Sequence, residues 1–147
     1  MRFILTASLI IFYSLRSFGQ YACNEDRITP DTLNFGRKAF NYKTDLSDSS
    51  IIKRLDKIAK QITINRNCNF TVLISDKGNK KQKQSSWERG YNIIMYLIDN
   101  YHIKNTQLIF LSDRNLPTGL VVVRLPSKEE NSGPHCGVLI RPKLRKQ

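Results

Sequence analysis

A run of charge between Asp76 and Gln84 places Lys77, Lys80, Lys81 and Lys83 close together. Displayed on one surface, these ammonium groups form an electrostatic footprint for an acidic polymer; the same run is equally compatible with a solvated loop. Three cysteines, Cys23, Cys68 and Cys136, offer neither a Cys-x-x-Cys motif nor a Cys/His cluster, which argues against a zinc site. In an oxidising compartment one pair bridges and one thiol is left over, and the spacing does not say which. A lipid anchor on Cys23 is disfavoured, since Gln20-Tyr21-Ala22 lacks the leucine usual three residues before a lipoprotein cysteine. His102 and His135 stand apart from any nucleophile or carboxylate pattern. With no catalytic triad, paired-carboxylate site or phosphate-cradling glycine loop, the chain reads as non-catalytic and free of cofactor and metal.

The groups that bear chemistry must be positioned by one domain, because 147 residues hold a single ordinary core. Residues 1 to 19 have the layout of a secretory signal peptide: Arg2, an apolar run from Phe3 to Tyr13, then small residues at Ser17 and Gly19. Cleavage is expected before Gln20, and the apolar run is short for a retained membrane anchor. Loss of Arg2 and Arg16 takes the formal charge from +12 to +10 over residues 20 to 147. So basic a domain favours a polyanion, and export argues against nucleic acid as that partner. A hydrophobic fraction of 40% with 10% aromatics excludes a wholly disordered chain, a collagen or a coiled coil.

Residues 20 to 32 read as a polar leader. A loose alternation from Leu33 to Tyr42 predicts the first strand. Ile51, Ile52, Leu55, Ile58, Ala59 and Ile62 recur at helical spacing behind Ser47-Asp48-Ser49-Ser50, with Lys53, Arg54, Asp56, Lys57 and Lys60 on the other face. Phe70 to Ser75 reads as a mostly buried strand. Ser85-Ser86-Trp87-Glu88 has the form of a capping box and predicts a second helix to about Asn100, with Trp87, Tyr91 and Tyr96 as core or core-edge aromatics rather than a sugar-stacking platform. Strands are expected at Gln107 to Leu111 and Gly119 to Leu125, then a mobile stretch at 126 to 134, a last short strand at Cys136 to Ile140 and a basic tail to Lys146. This order predicts an α+β two-layer sandwich of the βαβαβ type, with two helices on one face of a mixed sheet.

Phe40-Asn41-Tyr42-Lys43-Thr44-Asp45-Leu46 followed by Leu55-Asp56-Lys57-Ile58-Ala59 resembles the opening of an OmpA-like peptidoglycan-binding domain. Ser86-Trp87-Glu88-Arg89-Gly90-Tyr91-Asn92-Ile93 through Leu97 is similar to that family's Ser-x-x-Arg-Ala-x-x-Val-x-x-Tyr-Leu helix, with Gly90 for Ala and Ile93 for Val. The resemblance spans residues 33 to 125. It implies binding of the peptidoglycan stem peptide through an aspartate after the second strand and an arginine near the start of the second helix, which fall on Asp76 and Arg89. A guanidinium grips the carboxylate of diaminopimelate with two parallel hydrogen bonds, and an aspartate accepts its ammonium. An Arg89 in the first helical turn would also share the positive dipole end with that carboxylate. Ser75, Gln82 and Ser86 complete the implied ligand-binding set, with Lys77, Lys80, Lys81 and Lys83 as its electrostatic surround.

The chain departs from the family in two places. The loop after Ile74-Ser75-Asp76 is about two residues short, with Gln82 and Ser85 near the family's Asn and Leu. After the third strand, Ser112 to Gly119 replaces a longer segment that ends in a basic motif. Two functions follow as expectations: a periplasmic, envelope-tethering module that binds peptidoglycan, or a scaffold that has lost the ligand and contacts outer-membrane or other envelope proteins.

Overall fold

The structure, a computed structural model, describes Cys23, residues 25 to 45 and residues 49 to 132. The expected signal segment, Leu46, the expected strand Cys136 to Ile140, His135 and the basic tail lie outside the described residues. Among the described residues the strands and α-helices are, in order, β1 (Asp31–Asn34), α1 (Ser49–Ile64), β2 (Phe70–Ser75), α2 (Lys80–Tyr101), β3 (Leu108–Asp113), β4 (Leu120–Arg124) and α3 (Lys128–Ser132), with short 3-10 turns at Glu25–Arg27 and Asn105–Gln107. The strands form one mixed sheet in the order β1-β4-β2-β3. Among the described strands only β2 and β3 run parallel, and α2 provides the crossover that a parallel pair requires.

Period-two alternation decides which face of this sheet is covered. Leu33 pairs Val121, Val72 pairs Val123, and Phe70 pairs Leu108, all in register. These side chains share one core with Leu55, Ile58, Ala59 and Ile62 of α1 and Ile93, Ile94 and Leu97 of α2. The molecule is therefore the expected α+β sandwich, with α1 and α2 on one face of the mixed sheet.

Several boundaries differ from expectation for identifiable reasons. Strand β1 covers Asp31–Asn34, not residues 33 to 42. The apolar residues beyond it, Phe35, Phe40 and Tyr42, are buried from turns, and the Phe35 and Phe40 rings meet at 5.2 Å between centroids. Within the expected leader, Ile28 joins the core and Cys23 is bonded to Cys68. Strand β3 runs on to Asp113 because the parallel ladder continues through Ile74 with Ser112 and Ser75 with Asp113. The expected mobile stretch contains α3, capped by Ser127 and Glu130: Ser127 Oγ accepts from the Glu130 N–H at 3.2 Å, and the Glu130 carboxylate accepts from the Ser127 N–H at 2.9 Å. Arg124 grips the same carboxylate with both terminal nitrogens, at 2.6 and 2.9 Å, and this holds Glu130 below the usual glutamate pKa.

Asp56, expected on the outer face of α1, is turned to α2, where it accepts hydrogen bonds from Tyr96 (2.6 Å) and Tyr101 (2.7 Å). Tyr42 donates to Asp99. The bond to Asp99, with burial, pushes Tyr42 up to about 12; burial first raises Tyr96, and the bond to Asp56 first raises Tyr101. All three phenols hold their protons more tightly folded than unfolded. Their contribution is full below about pH 10 and is lost as pH rises toward about 12. Urea midpoints taken across that window should fall steeply in the wild type and less steeply in Asp56→Asn; parallel slopes would contradict the assignment.

Candidate functional site

Helix α2 organises the surface that holds the expected site residues. It begins at Lys80, not at Ser86, because Asn79 and Gln82 form the capping box: Asn79 Oδ1 accepts from the Gln82 N–H at 3.0 Å, and Gln82 Oε1 accepts from the Asn79 N–H at 2.8 Å. The lysines of the expected loop are good helix formers and make up the first turn. At the other end His102 takes the left-handed conformation (φ 53°) and its N–H bonds Ile98. Helical spacing then sorts the side chains. Lys81, Ser85 and Arg89 line one flank, Lys80, Gln84 and Trp87 the other. Ser86, Gly90, Ile93, Ile94 and Leu97 are buried between them. Gly90 lets the helix lie close on the sheet, since a Cβ there would stand 2.4 Å from the Phe110 ring and 2.6 Å from Ile74.

The first flank opens on a depression of about 560 Å³. Its charged lining is wholly cationic, Arg37, Lys81 and Arg89. Gln82, Ser85 and Thr118 add polar groups, and Gly36 and Gly119 give it a backbone floor. Arg89 is only 4% exposed. Its Nε donates to the Lys38 carbonyl at 2.7 Å, and no described carboxylate pairs with its terminal nitrogens. Burial lowers its pKa, Glu88 opposing, but a guanidinium stays charged throughout the physiological range. A largely buried arginine fixed at Nε, with its terminal nitrogens unpaired and open to a basic hollow, is built for a carboxylate or similar oxyanion.

The second flank opens on a separate depression of about 510 Å³. Asp76 lies here, beside Trp87, Gln84 and Ser112. Its carboxylate is held by Lys83 at 3.2 Å and Arg114 at 3.7 Å. Ser75 is buried and committed, its hydroxyl donating to the Leu116 carbonyl at 2.6 Å and accepting from the Lys77 N–H at 3.1 Å.

Asp76 and Arg89 therefore line opposite flanks of α2 and do not converge on one hollow. Arg89 lies in the third turn, not the first, and the helix dipole, which fades within a turn, does not act there. Gln82 and Lys81 join Arg89; Lys80, Lys83 and Ser75 lie with Asp76; Lys77 is exposed in the connecting turn. Arg37, Thr118 and Gly119 were not foreseen, since they reach the site from loops far apart in the chain. Arg114, which pairs with Asp76, comes from the Ser112 to Gly119 segment.

Ser86, expected among the ligand groups, is 1% exposed, and its Oγ is the one buried side-chain oxygen or nitrogen among the described residues without a hydrogen-bond partner. Leaving a hydroxyl buried and unpaired costs about 1–3 kcal/mol, and alanine is the better helix former. Ser86→Ala should raise the thermal midpoint by several degrees in a melt followed by circular dichroism. A lowered midpoint would show that the hydroxyl is paired.

No protein-family model and no curated protein matches the chain. Among the described residues no helix is long and apolar enough to cross a membrane.

Proposed function

We propose that the protein is a non-catalytic module of the cell envelope that binds peptidoglycan by gripping a carboxylate of the stem peptide with Arg89. The observation that carries this reading is a largely buried arginine, fixed at Nε, whose unpaired terminal nitrogens keep access to a hollow whose charged side chains are all basic. Two parallel, charge-assisted hydrogen bonds to a carboxylate would complete that group. Arg37 and Lys81 add attraction for an acidic polymer, and Lys77 and Lys80 extend it. A bond between Cys23 and Cys68 suits an oxidising compartment such as the periplasm. The resemblance of residues 86 to 97 to the OmpA-like helix supports the same polymer.

Asp76 takes no part in this grip, being matched with Lys83 and Arg114. That pairing favours the second reading, a scaffold that has lost the zwitterion site and serves as a protein contact in the envelope. Sedimentation with purified diaminopimelate-type peptidoglycan separates the two. The wild type and Asp76→Asn should pellet alike, while Arg89→Met weakens binding by about tenfold or more at unchanged circular dichroism. Equal pelleting of all three would favour the scaffold. Loss of pelleting with added salt alone, indifferent to Arg89, would assign the attraction to the lysines.

A further inference from the structure

The depression on the second flank of α2 has its own chemistry. Trp87 is half-buried, stacked nearly parallel on Tyr91 (5.3 Å between centroids, 11°) and set nearly perpendicular to Phe110 (6.0 Å, 82°). These contacts fix the indole, and its N–H donates to no described group. Beside it Gln84 uses its amide nitrogen on Glu88 at 3.0 Å and keeps its carbonyl oxygen as an acceptor. The Ser112 side chain is exposed, and the Asp76 carboxylate is held in place by two cations. A rigid aromatic wall with an amide, a carboxylate and a hydroxyl around it suits a pyranose ring, whose C–H face lies on the indole while its hydroxyl and acetamido groups meet the polar rim. A second carboxylate would meet Asp76 and is disfavoured.

We propose that this depression is a saccharide site, taking one N-acetylated amino-sugar ring of a glycan strand on Trp87, with Gln84, Asp76 and Ser112 as hydrogen-bonding partners. The inference rests on the peptidoglycan reading and deepens it. The two hollows lie on opposite sides of a helix about 10–12 Å across.

Trp87 is the only tryptophan in the chain, and its emission therefore reports on this site alone. The probe is the trisaccharide of N-acetylglucosamine, uncharged and free of peptide. It should shift the emission saturably and independently of salt, in the wild type and in Arg89→Met alike. The double variant Gln84→Ala, Ser112→Ala should weaken the trisaccharide by about tenfold, as expected for two hydrogen bonds. No saturable shift, or an affinity unchanged in the double variant, overturns the saccharide site. If that happens while sedimentation still depends on Arg89, the carboxylate grip stands and only the sugar assignment fails. Sugar binding together with sedimentation indifferent to Arg89 upholds the saccharide site and removes the carboxylate grip.

Discussion

Gly119→Ala should cost about 3–5 kcal/mol in urea unfolding, whereas Gly36→Ala, its neighbour in space, should cost only about 1 kcal/mol. Both glycines have positive φ, 91° and 56°, which L-residues adopt with strain. The difference lies in what a side chain would meet. At Gly36 a Cβ finds nothing within 4 Å, so the penalty is backbone strain alone. At Gly119 it would fall 2.2 Å from the carbonyl oxygen of Gly36, a backbone atom that cannot swing aside. The approach is tight because the Phe35 N–H donates to the Gly119 carbonyl at 2.8 Å, tying the end of β1 to the start of β4. Relieving the clash requires breaking that tie. The same two glycines floor the basic hollow, so Gly119→Ala should also weaken peptidoglycan sedimentation in conditions where it remains folded. Equal costs at the two positions would contradict the close approach.

Reduction of the Cys23–Cys68 bond, or the double variant Cys23→Ala, Cys68→Ala, should remove about 4 kcal/mol. The bridge closes a loop of 45 residues, and cross-linking a loop of that size restricts the unfolded chain strongly. It fastens a segment with no regular partner of its own to the connection between α1 and β2, where Cys68 is 2% exposed. Against a total stability typically near 5–15 kcal/mol this loss is large. Urea unfolding with and without a thiol reductant measures it; coincident curves would mean that the bridge does not act on stability. Neither cysteine lines the basic hollow, so variants that stay folded should sediment with peptidoglycan to the same extent as the wild type if the proposed Arg89 grip operates.

Much of the fold was legible because its signals are periodic. The Ile51 to Ile62 pattern places α1, and the β-branched and aromatic stretch from Phe70 places β2, since both are governed by which residues must leave water. Beyond Leu33 the same logic misled, because Phe35, Phe40 and Tyr42 satisfy the core from turns, and burial alone does not distinguish a turn from a strand. The start of α2 is ambiguous in the sequence because two capping boxes compete within a few residues. Asn79 with Gln82 lies upstream, and the helix-forming lysines between the two boxes favour the longer helix. Arg89 was reached through the resemblance, and Arg37, Thr118 and Gly119 were not reached at all, as they adjoin it only through the pairing of β1 with β4. Asp76 was legible as an acid, but its neutralisation by Lys83 and Arg114 depends on where α2 begins and where β3 ends.

The most direct test of the Arg89 grip compares two soluble stem tripeptides by titration calorimetry, one with the free terminal carboxylate of diaminopimelate and one with that carboxylate amidated. The wild type should prefer the free acid by about tenfold or more, the worth of a charge-assisted bidentate pair, and Arg89→Met should lose the preference while keeping its fold. Equal affinity for the two peptides in the wild type, or a preference that survives Arg89→Met, would contradict the grip.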